Sequence, residues 1–320
     1  MSAPLDAYLA ELRAIVEEAL PRALPPDGHA PAIILDAMRY SLFAGGKRLR
    51  PVLALAAADA IAERRGEPAP DARMRALPAA VALELIHTYS LIHDDLPAMD
   101  DDTLRRGRPT SHVVHGDGLA ILAGDGLLTE AFALLGERQS RLVPAAGPHA
   151  SEARRLEALV AIARGAGAMG MVGGQAIDLH AAGKTPDTIA QARALGATGL
   201  RDMHSRKTGA LMHAAVFAGG LLAGAEDAEA KALQGYGWHV GLAFQIIDDL
   251  LDIEGSDAAL GKTAGKDAAA GKPTYPALFG LDESRRMAAA CVDDAIAALH
   301  GASLRGRLPD IARVMLERTS

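Results

Sequence analysis

A single cysteine, Cys291, stands in 320 residues, so no intrachain disulfide can form, and neither a cysteine-built zinc site nor a redox pair is available. A reducing compartment suits such a chain. Aromatic residues are also scarce, at 3%. Ala and Leu dominate long stretches instead, and these side chains lose little freedom in a helix. The expectation is an all-α protein. Positive charge is in deficit, with a formal net charge of −7 and a pI near 5.9. Nucleic acid binds through clustered Lys and Arg and is therefore not an expected partner. A long unbroken apolar run is missing too. The stretch near Ala76 to His93 reads as the longest, and Pro78, Glu84 and His87 interrupt it before the roughly 20 residues a bilayer span needs. No membrane span is expected. The opening residues, MSAPLDAYLAELRAIVEE, carry acids where an export signal needs a basic start and an apolar run. A cytoplasmic location follows as an expectation.

Half of the residues are hydrophobic, enough for one large core. Leu5, Tyr8, Leu9, Leu12, Ile15, Val16 and Leu20 recur at three- and four-residue steps, the pattern of a helix burying one face. Pro21 is expected to end it. Similar patterns run through 31–43, 50–64, 75–93, 118–138, 152–170, 187–200, 207–221, 226–253 and 284–299, with no convincing β alternation. Breaks fall at Pro25-Pro26, between Pro144 and Pro148, at Thr185-Pro186-Asp187, and across a Gly- and Lys-rich stretch from Glu254 to Pro276. Helices joined by short connections predict one bundle-like domain over residues 1–320, in which sites are built from side chains on facing helices.

Two acidic clusters interrupt this pattern. LIHDDLPAMDDD sets Asp94, Asp95, Asp100, Asp101 and Asp102 at the end of an apolar helix. Two unit charges about 4 Å apart cost on the order of 4 kcal/mol at an effective dielectric near 20, and a divalent cation relieves that repulsion. Pro97 removes a helical hydrogen bond, so Asp100 cannot stack over Asp94 on a continuing helix. In FQIIDDLLDIEG the four-residue step stacks Asp248 over Asp252, with Asp249 between them and apolar residues around. Either cluster alone also fits a helix cap or a solvated acidic patch. Carboxylates without His or Cys suit magnesium, which completes its shell with water and substrate phosphates. Candidate phosphate holders are present in Gly45-Gly46-Lys47-Arg48-Leu49-Arg50-Pro51, Arg105-Arg106, Lys207-Thr208 and Lys262. Arginine forks match phosphate oxygens, although Arg105-Arg106 beside the acids is also explained by mutual neutralisation.

These residues, GGKRLRP, LIHTYSLIHDDLPAMDDDTLRRGRPTSH, GGQAIDL, KTGAL and FQIIDDLLDIEG with LGKTAGKD and GKPTYPAL following, occur in one order from Gly45 to Leu278. In that order they resemble the trans-isoprenyl diphosphate synthase family, specifically its bacterial farnesyl diphosphate synthase branch, and the resemblance implies an orthogonal helical bundle around a central cavity. The resemblance implies that Asp94, Asp95 and Asp100 face Asp248, Asp249 and Asp252 across a cavity and hold three magnesium ions with the allylic diphosphate, dimethylallyl or geranyl. Arg105, Lys207 and Lys262 would contact that diphosphate. Gly46, Lys47, Arg50, His87 and Arg106 would hold isopentenyl diphosphate. Gln245 and Thr208 would lie near the developing carbocation, which ionisation of the allylic bond creates and the isopentenyl double bond attacks. His87 stands seven residues before Asp94, two turns along one face, although a core histidine reads the same way. Water would quench the cation, which makes Glu254 to Pro276 the expected lid.

Chain length, by the same resemblance, depends on an apolar tunnel below the first cluster. Tyr89, five residues before Asp94, would be its floor. With small Ser90 and the insertion in DDLPAMD, this points to a fifteen-carbon product, a twenty-carbon product being the alternative. The ending LERTS lacks the basic tail of animal relatives. A terpene cyclase would need a different second metal motif and no GGKRLRP, and a non-catalytic partner subunit would lose one aspartate motif. The resemblance also implies a homodimer.

Overall fold

The computed structural model describes residues 4–137, 140–184, 195–254 and 274–317. Its backbone gathers into two compact units, one of Met1–Leu159 with Ala218–Gly224, the other of Val160–Phe217 with Ala225–Ser320.

The first unit contains α1 (Leu5–Ala23), α2 (Ala32–Leu42), α3 (Leu49–Arg65), α4 (Ala69–Asp94), the short α5 (Ser111–His115), α6 (Asp117–Gly136) and the start of α7 (Glu152–Ala166). Every residue from Val52 to Ala58 in α3 and from Ala79 to Ile86 in α4 is buried, as expected of helices that are apolar all round. Burial explains why α4 runs through Pro78. The lost hydrogen bond and ring clash cost about 3 kcal/mol, and the buried side chains of Val81, Leu83, Leu85 and Ile86 offset it. Pro21 likewise does not end α1, which continues to Ala23, because so late a proline disturbs only the last turn. Tyr8 fastens α1 to the core: its hydroxyl donates to Asp59 Oδ2 at 2.7 Å, and Arg73 donates to both Asp59 oxygens at 2.7 and 2.8 Å.

The second unit holds α8 (Met171–Ala181), α9 (Ala197–His204), a π turn over Ser205–Gly209, most of α10 (Ala210–Ala223), α11 (Asp227–Glu254), the short α12 (Tyr275–Phe279), α13 (Leu281–His300) and α14 (Leu308–Glu317). Gly237 and Gly241 lie one turn apart on α11. A Cβ on Gly241 would stand 2.6 Å from the Gly209 Cα, and one on Gly237 2.8 Å from the His213 Cα. Only glycine lets α11 lie backbone to backbone against the π turn and α10. Tyr236, fully buried, donates its hydroxyl to the Leu308 carbonyl at 2.7 Å and ties α14 in place.

The all-α expectation holds with one exception among the described residues. β1 (Leu104–Arg105) and β2 (Arg108–Pro109) form an antiparallel hairpin with Arg105 opposite Arg108. Its two loop residues, Arg106 and Gly107, have φ of +53° and +73°, the left-handed pair of a type I′ turn. Two residues per strand are too few to show alternation in sequence. The expectation that no stretch reaches spanning length also needs correction. α6, and the stretch Glu152–Ala181 containing α7 and α8, are long and apolar enough to cross a membrane by length and composition. Within the first unit, however, α6 buries Ala120, Ala123, Leu127, Ala131 and Leu134, and a turn at 167–170 separates α7 from α8.

Candidate active site

In the first unit the acids follow from how α4 stops. Asp94 is its last residue and Asp95 its cap. Beyond Pro97 the chain folds back, so that the Asp100 N–H donates to the Asp94 carbonyl at 2.8 Å and the Asp102 N–H to the Asp95 carbonyl at 3.2 Å. This return brings Asp100 to Asp94, which helical stacking could not do. Asp94 and Asp100 are half-buried. Asp95 is 3% exposed and gripped by Arg105, whose Nε lies 2.9 and 2.8 Å from the two carboxylate oxygens and whose Nη2 lies 2.6 Å from Oδ1. Burial pushes the Asp95 carboxyl up and outweighs the downward pull of Arg105. The hairpin aims Arg105 inward. Arg106, at its turn, donates to the Gly45 carbonyl and lies over Gly46, where a Cβ would stand 2.6 Å from Nη1. Gly46 therefore makes room for a guanidinium.

The basic residues divide by role. His87 is half-buried. Burial first, then Arg50, Arg106, Arg105 and Arg48, push its imidazole well below the usual range, so it is neutral near pH 7 and sits in a field suited to an anion. Arg50 is half-buried and Lys47 exposed. Arg48, in the same sequence motif, is 3% exposed and faces inward: it pairs with Glu84 at 2.6 Å and Glu17 at 2.8 Å and donates to the Leu42 carbonyl at 2.8 Å. An open cavity of about 440 Å³ is lined by Tyr40, Leu91, Ile92, Asp95, Arg105 and Arg106, among others. Tyr89 is 6% exposed and meets His93 edge-on at 5.6 Å. Burial, then Asp94, pushes its hydroxyl up to about 12. His93 Nε2 lies 3.0 Å from the Ile121 carbonyl, in space that Gly124 leaves open. Ser90 bonds its own helix, donating to the His87 carbonyl at 2.8 Å.

In the second unit the π turn carries Lys207 and Thr208. Its backbone is pressed against α8, where a Cβ on Gly174 would stand 2.2 Å from the Lys207 nitrogen. Lys207 Nζ donates to buried Asp178 at 2.6 Å. Thr208 Oγ1 donates to Gln245 Oε1 at 2.8 Å, Gln245 Nε2 to Asp249 Oδ1 at 2.9 Å, and the Tyr275 N–H to Asp249 Oδ2 at 3.0 Å. Asp249 is 3% exposed. Asp248 is exposed and Asp252 half-buried, so the face they share opens outward although Ile246, Ile247 and Leu250 beside it are buried. His204 Nδ1 lies 4.0 Å from Asp249 Oδ2, and burial lowers the imidazole to about 4. Lys262 and residues 255–273 of the expected lid lie outside the described residues.

Residues 31–303 match the family model described as polyprenyl synthetase. This chain belongs to that family. Over 291 residues it is 44% identical to a geranylgeranyl diphosphate synthase of Cyanophora paradoxa, covering 91% of this chain and 88% of the relative. Over 302 residues it is 42% identical to a farnesyl diphosphate synthase of Geobacillus stearothermophilus, covering 94% and 93%. Among solved structures, a Helicobacter pylori geranyltransferase complexed with magnesium and isoprenyl diphosphate superposes with a TM-score of 0.79 at 29% identity, covering 100% of this chain and 98% of that one. The chain is thus a member of a trans-prenyltransferase family, as its motifs implied.

Four features of this chain escaped the sequence reading. Asp178 was visible within GGQAIDL but had no assigned partner until the π turn brought Lys207 to it. Arg48 is indistinguishable by residue type from its neighbours Lys47 and Arg50. His93 and the Tyr275 backbone act through contacts made by distant elements, which carry no local signal.

Proposed function

We propose that this chain is a magnesium-dependent prenyltransferase that condenses isopentenyl diphosphate with dimethylallyl and then geranyl diphosphate, releasing farnesyl diphosphate. One observation carries the reading. The first unit sets the acids Asp94, Asp95 and Asp100 beside Arg105, which grips Asp95 at 2.6 Å, and holds Arg50 and Arg106 close enough to His87 to add to burial in lowering its imidazole. A diphosphate escorted by divalent cations answers both charges at once.

Among the described residues no three His, Cys, Asp or Glu side chains form a ready metal cage. That suits magnesium, which takes one or two carboxylates and fills its shell from water and substrate phosphates. Asp94, Asp100, Asp248 and Asp252 would hold it. Asp95 and Asp249 are the two buried carboxylates of the six. We expect three ions, as the sequence resemblance implied, and the H. pylori relative's magnesium complex supports the choice of metal. Bound, magnesium supplies Lewis-acid stabilisation of the departing diphosphate. Arg105 and Lys207 hold the allylic diphosphate oxygens. Lys47, Arg50, Arg106 and neutral His87 hold isopentenyl diphosphate, and Gly46 keeps Arg106 in place. The oxygens of Thr208 and Gln245 face the positive charge that develops on the allylic carbon. The isopentenyl double bond is the nucleophile, and the proton it loses passes to the released diphosphate.

Tyr89 closes the apolar tunnel and stops growth at fifteen carbons. The C. paradoxa relative, named for geranylgeranyl diphosphate, favours twenty carbons as a second reading. The test is mass analysis of the product formed from dimethylallyl and isopentenyl diphosphates with magnesium. A fifteen-carbon product supports the proposal, a twenty-carbon product selects the second reading, and none would mark a non-catalytic partner subunit. Tyr89→Ala should lengthen the product, and an unchanged length would remove Tyr89 as the stop. We also propose a cytoplasmic homodimer. Ile121 and Leu122, 42% and 57% exposed on apolar α6, supply a face for a second copy, and a monomeric mass in solution would overturn it.

A further inference from the structure

The hydrogen bonds around Gln245 have a direction that residue types alone do not reveal. Gln245 and Asp249 are four residues apart on α11, so they share a face, and Gln245 Nε2 donates to Asp249 Oδ1 at 2.9 Å. The other carboxylate oxygen takes the Tyr275 N–H at 3.0 Å. A carboxylate only accepts, whereas an amide has one donating and one accepting end. Asp249 therefore dictates that the NH₂ of Gln245 faces it and that Oε1 faces Thr208. Oε1 in turn takes the Thr208 hydroxyl proton at 2.8 Å. With that proton committed, Thr208 Oγ1 turns only lone pairs toward its remaining neighbours.

We infer that Asp249 is a positioning residue that sets the polarity of Gln245 and Thr208, leaving metal binding by this cluster to Asp248 and Asp252. The inference rests on the prenyltransfer reading, in which oxygens at 245 and 208 face a developing cation. There, oriented lone pairs stabilise and N–H groups would repel. Position agrees with this division, since Asp249 is 3% exposed while Asp248 is exposed and Asp252 half-buried.

Asp249→Asn is the test. The introduced amide keeps an oxygen for the Tyr275 N–H but offers NH₂ to Gln245, which forces the glutamine amide to turn over and point NH₂ at Thr208. We expect kcat to fall about 100-fold. KM for both diphosphates, and magnesium binding measured by calorimetry with inorganic diphosphate, should stay within about twofold, since Gln245 and the Tyr275 N–H, which Asp249 holds, are not metal ligands. Adding Gln245→Glu restores an acceptor that takes both the introduced NH₂ and the Thr208 hydroxyl. The double variant should regain about tenfold of the lost kcat, even though Gln245→Glu alone sets two carboxylates against each other. If D249N alone does not fold, the double variant, with its bonding pattern complete, should fold and turn over. Magnesium binding weakened tenfold or more in D249N would make Asp249 a ligand and overturn the inference, as would a double variant no better than D249N. The Gln245 side-chain NH₂ resonances, assigned by their loss in Gln245→Glu, should shift in metal-free D249N. Unmoved resonances would overturn the inference, whereas shifted resonances in a chain that transfers no prenyl group would reject only the prenyltransfer reading.

Discussion

Each acidic cluster buries one carboxylate, and the two are satisfied by different chemistry. Asp95 is held by a guanidinium aimed from a hairpin, whereas Asp249 is held by an amide and a backbone N–H. Both grips are charge-assisted, because the acceptor is an ionised carboxylate, but the guanidinium also cancels the charge. Neutral donors stabilise the carboxylate but leave its charge in place. The second cluster therefore keeps more of its negative charge for a cation, and the first is the more dependent on one particular side chain.

The sharpest way to break this comparison is at the exposed member of the second cluster. Asp248→Ala should lower kcat by about 10³-fold, the scale of several kcal/mol of metal-mediated charge stabilisation. Thermal melting should show an intact fold, since Asp248 is exposed. Near-normal turnover would remove the second cluster from the reaction. A smaller loss is expected from Gly174→Ala. Its new Cβ would stand 2.2 Å from the Lys207 nitrogen, and displacing the π turn by about 1 Å should cost on the order of 10- to 100-fold in turnover. Gly118→Ala, with nothing within 4 Å, is the control that should leave activity unchanged.

Stability sharpens the contrast between the two grips. Arg105→Ala strands a buried carboxylate and should cost about 3 kcal/mol in denaturant unfolding, the lower end for broken buried pairs because the arginine is 25% exposed. Gln245→Ala removes an uncharged donor from a carboxylate that keeps the Tyr275 N–H and should cost about 1.5 kcal/mol. Equal losses would erase the difference. The smallest expected effect concerns His204, whose Nδ1 lies 4.0 Å from Asp249 Oδ2. Its imidazole is lowered to about 4 by burial, so between pH 6.5 and 4 the unfolded chain binds a proton that the folded chain does not. Stability should fall as pH drops through that window, and His204→Gln should flatten the dependence of Tm on pH there.

The helical class was legible because Ala and Leu spacing reports burial directly, and the acid clusters because two of them stand in otherwise apolar helices, where one alone would also fit a cap or a solvated patch. One helix end was misjudged at Pro21, which lies so late in α1 that it disturbs only the last turn, and α4 starts at Ala69 rather than near residue 75. α8 (Met171–Ala181) was missed between the patterns at 152–170 and 187–200, and its Gly174 is small so that Lys207 can approach it. The hairpin was missed although Arg106-Gly107 is a plausible turn pair, since strands so short leave no periodicity. Arg48 shows the limit of motif reading. Three cations within four residues look alike in sequence, and only the buried Glu84 on α4 marks Arg48 as the one that holds the fold.

A π turn closes its hydrogen bonds one residue later than an α-helix, so Ser205–Gly209 contains a surplus residue, worth about 100° of rotation. A tally of apolar positions begun in α9 falls out of step by one place at Gly209. The inward sides of α9 and α10 are thus phased independently, although the backbone runs from one to the other without a loop.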